Sequence, residues 1–461
     1  MVDSKSKQPT TVAVAAEGNL LKNKWIGGFV RSDWFPGIFQ WPTIVFFALI
    51  VYQLLLGPVA AHDNLGTALT WVLWWPLIPI IFLILGRFWC AICPFGTLSD
   101  VVQKFVGHNQ RVPQFLKKYG IWIIDAAFIL ITWSDHVWGI VESPWGSGIL
   151  LLLVTTGVVI AGALWERRAW CRYLCFLGGL SGNYARTGML ALRATPEKCA
   201  KCNVSACYKG NEKVAGCPMF EFPRVMDTNA ECNICGNCAK TCPNDSIRLN
   251  LRFPTKELWF IRKPKLEEAF LAVVIMGIVF IQNITMLEVW RGTLSWLEQM
   301  TGTQNYAVTF TIAFLIAMGL PIGALSIAAF LAKKLNGDSL AQNFAKFGYA
   351  IIPLDVAGHV AHNLFHLLAE GKAVVYTALA FLGQTMPGAS PAFVDNATIQ
   401  LLQFALIVLG AALSLYTAYR IAHSNFVGGK RWVTLTPFAI LIALLGVVNL
   451  YLFMLPMAMR M

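Results

Sequence analysis

Apolar residues in this chain come in long blocks, separated by shorter polar and basic stretches. A helix needs about 20 predominantly apolar residues to cross about 30 Å of hydrocarbon. Nine blocks read as such spans: 41–60, 68–86, 119–140, 148–166, 268–287, 307–332, 347–369, 400–421 and 433–456. The seventh is the least apolar, because it holds Asp355 and three histidines. Residues 373–397 are apolar as well, but Pro387, Gly388 and Pro391 break them, which predicts an outer loop or a re-entrant piece. One polar interval, 167–265, is long enough for an extramembrane domain. The first 40 residues show no cleavable signal pattern, so the N-terminus is expected to be retained, with residues 1–18 unstructured.

Composition agrees with the pattern. Hydrophobic residues make up 57% and charged residues 13%, with a mean hydropathy of +0.59. Soluble domains run near about 45–50% and about 25%. A disordered chain, a secreted disulfide scaffold and an ordinary soluble enzyme are excluded. The net charge of +12 invites a nucleic-acid reading, but the charges sit in the wrong places for one. With the N-terminus inside, 33 of the 36 Lys and Arg fall on inner segments, and only Arg291, Lys372 and Arg460 fall outside. That bias sets topology and accounts for the basic balance. The C-terminus then lies outside, and 167–265 lies in a reducing compartment where disulfides are not expected.

The polar interval carries eight of the twelve cysteines. Cys232, Cys235, Cys238 and Cys242 followed by Pro243 read C-x2-C-x2-C-x3-C-P, the spacing of two-cluster bacterial ferredoxins. Three thiolates on a tight loop reach three corners of one cubane, and the fourth leaves to serve the other cluster. One [4Fe-4S] cluster is therefore expected on Cys217, Cys232, Cys235 and Cys238, the other on Cys199, Cys202, Cys207 and Cys242. Zinc is the competing reading, but zinc sites favour cysteine pairs, often with histidine, and none lies between His136 and His359.

The remaining four cysteines follow the second and fourth spans. Gly86-Arg-Phe-Trp89-Cys90-Ala-Ile-Cys93-Pro94-Phe-Gly96-Thr-Leu-Ser99 matches, from its second aromatic residue Trp89 on, Trp170-Cys171-Arg-Tyr-Leu-Cys175-Phe176-Leu-Gly178-Gly-Leu-Ser181. Each motif closes a hairpin of two spans, so 41–100 and 119–182 read as a repeat forming a four-helix bundle. Cys90, Cys93, Cys171 and Cys175 could hold a third cluster, act as two redox dithiols, or be buried turn cysteines. Gly96 and Gly178 are expected to make the turns through positive φ.

These paired motifs, followed by a two-cluster ferredoxin segment, resemble the NapH/NosR-type membrane polyferredoxins over residues 41–250. The resemblance implies electron transfer at the cytoplasmic membrane between the quinol pool and anaerobic respiratory reductases. Three departures stand out: two residues rather than three inside the first pair, Phe176 in place of proline, and no outer flavin domain before the first span. The spans in 268–461 are additional.

The organisation expected is a basic cytoplasmic segment (1–40), a four-helix membrane domain with both Cys pairs (41–182), an inserted cytoplasmic ferredoxin-like α+β domain (183–265) and a C-terminal helical membrane domain (266–461). In the last of these, His359, His362 and His366 share one helix face with Asp355. Ionisable groups inside a membrane mark functional sites. The row could bind quinol, ligate heme b or copper, or form a polar network without chemistry. His62, Asp135 and His136 could join it from the outer side. Trp41, Trp71, Trp74, Trp75 and Trp145 are expected as interfacial anchors. The function expected is a quinol-linked electron-transfer subunit with a reductase partner. The alternative is a maturation protein that reduces metal or thiols for a copper enzyme.

Overall fold

The computed structural model describes residues 18–384, 386 and 390–458. Residues 1–17, Pro387, Gly388 and Arg460 lie outside the described residues. Each of the nine apolar blocks is largely helical. Seven helices are long and apolar enough to cross a membrane: Gly37–Leu56, the broken run Leu65–Val106, Pro144–Leu164, Leu266–Thr285, Tyr306–Asn336, Asn396–Asn425 and Gly429–Met454. An eighth results if Ile352–Ala369 and Lys372–Phe381, bent by 49°, count as one span. Counted this way, the described residues supply seven or eight spans where the apolar blocks predict nine. The difference is Gln114–Trp138, a 25-residue helix whose Lys117, Lys118, Asp125 and Asp135 dilute its apolar length. Residues 373–397 begin as the short helix Lys372–Phe381 rather than as loop alone.

The run Leu65–Val106 breaks at Gly86, whose φ of 59° and ψ of −145° only glycine adopts without strain. There the chain leaves the bundle, turns through Trp89–Ile92 and re-enters a helix at Pro94. Leu266–Thr285 is the most enclosed span and packs against Tyr306–Asn336, Ile352–Ala369 and Gln114–Trp138. Gly410 approaches closely because a Cβ there would lie 2.3 Å from that of Ala357. Small residues let such helices approach without a hydrophobic drive between them.

The cysteine-rich segment is closed by a two-stranded antiparallel ribbon, Leu190–Ala194 with Ile247–Leu251. Its register pairs Leu190 with Leu251 and Ala194 with Ile247, so both ends of the cysteine loop leave one point. Buried Glu257 pins this ribbon to the loop before Cys232: it pairs with Arg193 and Arg252 and accepts from the Asn229 amide at 3.0 Å. Helix Lys24–Arg31 lies against the other side, with Arg31 on Asp245 at 2.6 Å and the Phe35 ring directly under Gly236. The N-terminal segment is thus structured from residue 18 onward and covers one cysteine loop.

Candidate metal centres and a buried histidine row

The tight loop Cys232–Cys238 owes its shape to local backbone. Ile234 at φ 54° and Gly236 at φ 80° adopt left-handed conformations, which curl the thiols inward before helix Asn237–Thr241 begins. Burial pushes the Cys217 thiol up to about 12, with Cys235 adding to the rise. Burial also raises Cys238, which feels Cys232, Cys235 and Cys217, and then Cys207 of the other set. Cys199, Cys202, Cys207 and Cys242 line one cavity. Burial lifts Cys207 to about 11, and Cys242, Cys199 and Cys202 add to the rise. The backbone amides of Ser205 and Val204 hold Cys202 below the usual thiol range. The eight thiols therefore fall into two adjacent quartets, and burial, with neighbouring thiols adding to it, opposes ionisation of Cys207, Cys217 and Cys238.

The two membrane-side pairs also come together, through two residues that the motif alignment left outside its bounds. Each pair is preceded by Arg-x-Trp-Cys: Arg87 before Cys90 and Arg168 before Cys171. Both guanidiniums are buried, at 4% and 3% exposure. They reach across reciprocally. Arg87 Nη2 donates to the Cys171 carbonyl at 3.3 Å, and Arg168 Nη1 donates to the Cys90 carbonyl at 2.5 Å. Arg87 Nε also lies 3.5 Å from Cys90 Sγ, and Nη1 donates to the Ala230 carbonyl at 2.6 Å, two residues before Cys232. Arg168 pairs with Asp100 at 2.6 Å; burial raises the Cys235 thiol, and the Asn237 amide and the Arg168 charge offset part of that rise. The Cys90 thiol lies 3.5 Å from the Ser181 hydroxyl. The two arginines thus tie the membrane quartet to the loop of Cys232–Cys238. The signal for them was present as a repeated arginine two residues before each Trp-Cys.

This geometry corrects the role expected of two glycines. Gly96 and Gly178 lie inside helices Pro94–Val106 and Phe176–Ala185 without positive φ. Glycine is needed there for space. A Cβ at Gly96 would meet Arg168 Nη1 at 3.1 Å, and one at Gly178 would meet the Cys171 carbonyl at 2.8 Å and Arg87 Nη2 at 3.2 Å. The positive-φ turn belongs to Gly86.

Among the described residues no three His, Cys, Asp or Glu side chains converge closely enough for one metal ion. Zinc holds thiolates at about 2.3 Å from a single centre. A quartet that lines a cavity, as Cys199, Cys202, Cys207 and Cys242 do, fits a multi-iron cluster with thiolates as its donors.

In the histidine row Asp355 is fully buried, His359 and His362 are 3% and 8% exposed, and His366 is half-buried. Each imidazole takes a separate partner through Nδ1: Tyr184 Oη at 3.1 Å, Asn283 Oδ1 at 2.9 Å and Glu370 Oε2 at 3.1 Å. His62 is exposed beside Asp63. Asp135 accepts from the Val141 amide at 2.8 Å, and His136 stacks on Phe310. The tryptophans divide differently from the expectation. Trp41 and Trp145 are exposed, as anchors are. Trp74 and Trp75 instead pack inside, in a row of rings Trp89–Trp74–Trp75–His359 with centroid spacings of 5.8, 6.0 and 5.9 Å. Trp71 tilts against Trp75 at 6.0 Å and donates to Ser147 Oγ at 2.9 Å.

A family model described as a 4Fe-4S binding domain matches residues 67–113 and 147–193. The two matches bracket Cys90/Cys93 and Cys171/Cys175, so the paired motifs are two copies of one unit. YccM of Escherichia coli (strain K12), which carries the name of an electron transport protein, is 25% identical over 189 residues. That stretch covers 36% of this chain and 51% of YccM, so the chain spans about half the length of this curated relative. No solved structure matches the chain. The chain thus carries two matches to a 4Fe-4S binding domain, one around each membrane-side cysteine pair, and is similar to an electron transport protein over about a third of its length.

Proposed function

We propose that the chain carries electrons between a quinol in the membrane and a reductase partner through three [4Fe-4S] clusters. The observation that carries this reading is the sorting of all twelve cysteines into three quartets in series. Arg87 and Arg168 join the membrane quartet to Cys217/Cys232/Cys235/Cys238, and Cys238 lies in the field of Cys207 in the last quartet. Such clusters, when bound, accept and pass single electrons. The protein's part is to hold the thiolates, neutralise their charge and set the spacing.

Arg87 supports the third cluster in particular. A buried charge is retained only when paired. Arg87 contacts two carbonyls and the Cys90 sulfur, whereas Arg168 has Asp100. The anionic partner that suits Arg87 is a set of thiolates. Beyond the membrane quartet, the aromatic row from Trp89 ends on His359 and Tyr184. Quinol oxidation is assigned to that end, where imidazole and phenol groups accept protons. The Lys and Arg bias places the N-terminus and the ferredoxin-like domain on the cytoplasmic side of the inner membrane. Gln114–Trp138, long enough at 25 residues, completes nine spans on this reading.

The test is an EPR spectrum of anaerobically purified protein before and after a menaquinol analogue. Cubane signals that appear on quinol addition are expected. Clusters that respond only to dithionite would exclude quinol oxidation by this chain. To test the maturation role, Cys235→Ser is assayed for the metal content of the partner reductase. Loss of that metal would replace the electron-carrier reading.

A further inference from the structure

We propose that the C-terminal bundle contains a proton path joining the two membrane faces, separate from the cluster chain. It is a file of ionisable and amide side chains on helices Leu266–Thr285 and Ile352–Ala369 and the elements beside them, in hydrogen-bonded stretches separated by short gaps at Asn183/Tyr184, His359/His362 and His362/His366. At one end Lys265, half-exposed, pairs with Glu231 at 3.4 Å and with Glu268 at 3.0 Å. Glu268 also accepts from Arg186 at 2.5 Å and from Tyr349 Oη at 2.6 Å. Arg186 donates to Asn183, the neighbour of Tyr184 in the chain, at 2.8 Å. Tyr184 reaches His359 and the Asp355 carbonyl. His362 then pairs with Asn283, stacks edge-on against His366 at 5.5 Å, and His366 meets the partly exposed Glu370.

The length is that of a membrane crossing. Glu268 and Asn283 are fifteen positions apart, about 22 Å along a helix axis. His362 to Glu370 adds eight positions, about 12 Å. The file therefore covers the whole of a hydrocarbon core of about 30 Å.

The middle of the file carries the second observation. Both carboxyl oxygens of Asp355, His359 Nε2, Asn283 Nδ2 and Asn363 Oδ1 are buried and take no hydrogen bond from protein among the described residues. Unpartnered polar atoms are costly in an apolar bundle unless protons or water satisfy them. A fixed structural network would be closed by protein partners. An open one serves groups that exchange protons. The Glu, Asp, Tyr and His side chains each take a proton on one lone pair and release one from the other side, and water seated on the unpartnered buried atoms carries it across the gaps, with Arg186 and the amides only orienting their neighbours. The path consumes no oxidant or reductant, and it stands whether or not quinol is oxidised beside His359.

Full-length protein is reconstituted into liposomes with pyranine inside, and a valinomycin–potassium potential drives protons. Both the oxidised and the dithionite-reduced protein are measured. Proton uptake above that of protein-free vesicles is expected in at least one state, with at least a tenfold loss in Asp355→Asn and in His366→Gln at unchanged iron content. Uptake equal to empty vesicles in both states overturns the path, as does wild-type uptake in either variant. If Asp355→Asn fails to assemble, the half-buried His366→Gln decides. A failed quinol reaction leaves this assay untouched, so the two readings fail separately.

Discussion

Replacing Arg87 with methionine keeps the side-chain volume near that of arginine and deletes one buried positive charge. The guanidinium lies 3.5 Å from Cys90 Sγ and bonds to the Cys171 carbonyl at 3.3 Å, so its mean distance from a cluster on the membrane quartet is about 6 Å. At an effective dielectric of about 20, one charge at that distance contributes about 3 kcal/mol to the reduced form. With about 1.4 kcal/mol and about 59 mV per tenfold for one electron, the midpoint potential falls by about 120 mV. A potentiometric EPR titration of wild type and Arg87→Met measures this directly. One of three cluster potentials should shift negative while the other two hold. Arg87→Lys, which retains the charge, should recover most of the shift. Three unchanged potentials would refute the charge argument. A shift confined to a ferredoxin-domain cluster would show that Arg87 serves the Ala230 side instead.

Cys90→Ser should lower iron from about 12 to about 8 atoms per chain, the difference made by one four-cysteine cluster; an unchanged iron count disposes of the third site. Gly178→Ala places a methyl 2.8 Å from the Cys171 carbonyl, and overpacking of this kind costs about 1–3 kcal/mol. A lower thermal midpoint with loss of the membrane-side cluster is expected, whereas Gly292→Ala, open on all sides, should be near-neutral. Reconstitution of the apoprotein should speed up with pH between 7 and 9. Cys207 near about 11 and Cys217 near about 12 are protonated there, so the reactive thiolate fraction rises about tenfold per pH unit. A flat anaerobic rate profile, followed by cluster absorbance, would contradict that.

Much of this architecture is legible in the order of residues. Apolar length reports spans because a bilayer demands about 20 residues whatever the tertiary fold. The C-x2-C-x2-C-x3-C-P run reports a cluster loop because its geometry is local. The third quartet could be drawn from the repeat only as one of three readings, since what brings Cys90 to Cys171 is a contact between hairpins. The roles of Gly96 and Gly178 misread for the same reason. A glycine needed for φ and a glycine needed for space look alike in sequence, and only the crossing of Arg87 and Arg168 tells them apart. Lys117, Asp125 and Asp135 lower the apolarity of Gln114–Trp138, so the number of spans depends on what those charges meet.

The histidines share one face by helical periodicity alone, which places Asp355, His359, His362 and His366 in line. The partners of His359 and His362 come from elsewhere in the chain: Tyr184 is 175 positions from His359 and Asn283 is 79 from His362, and both reach the row through packing of separate helices, whereas Glu370 lies four positions from His366. Trp74 and Trp75 read as anchors until the row Trp89–Trp74–Trp75–His359 is seen in three dimensions. Local chemistry and bilayer thickness act on neighbours in sequence, so the residues alone determined the apolar helices and the cluster motifs. Charge neutralisation, ring stacking and the buried polar file act across long sequence separations, so only the tertiary structure decided them.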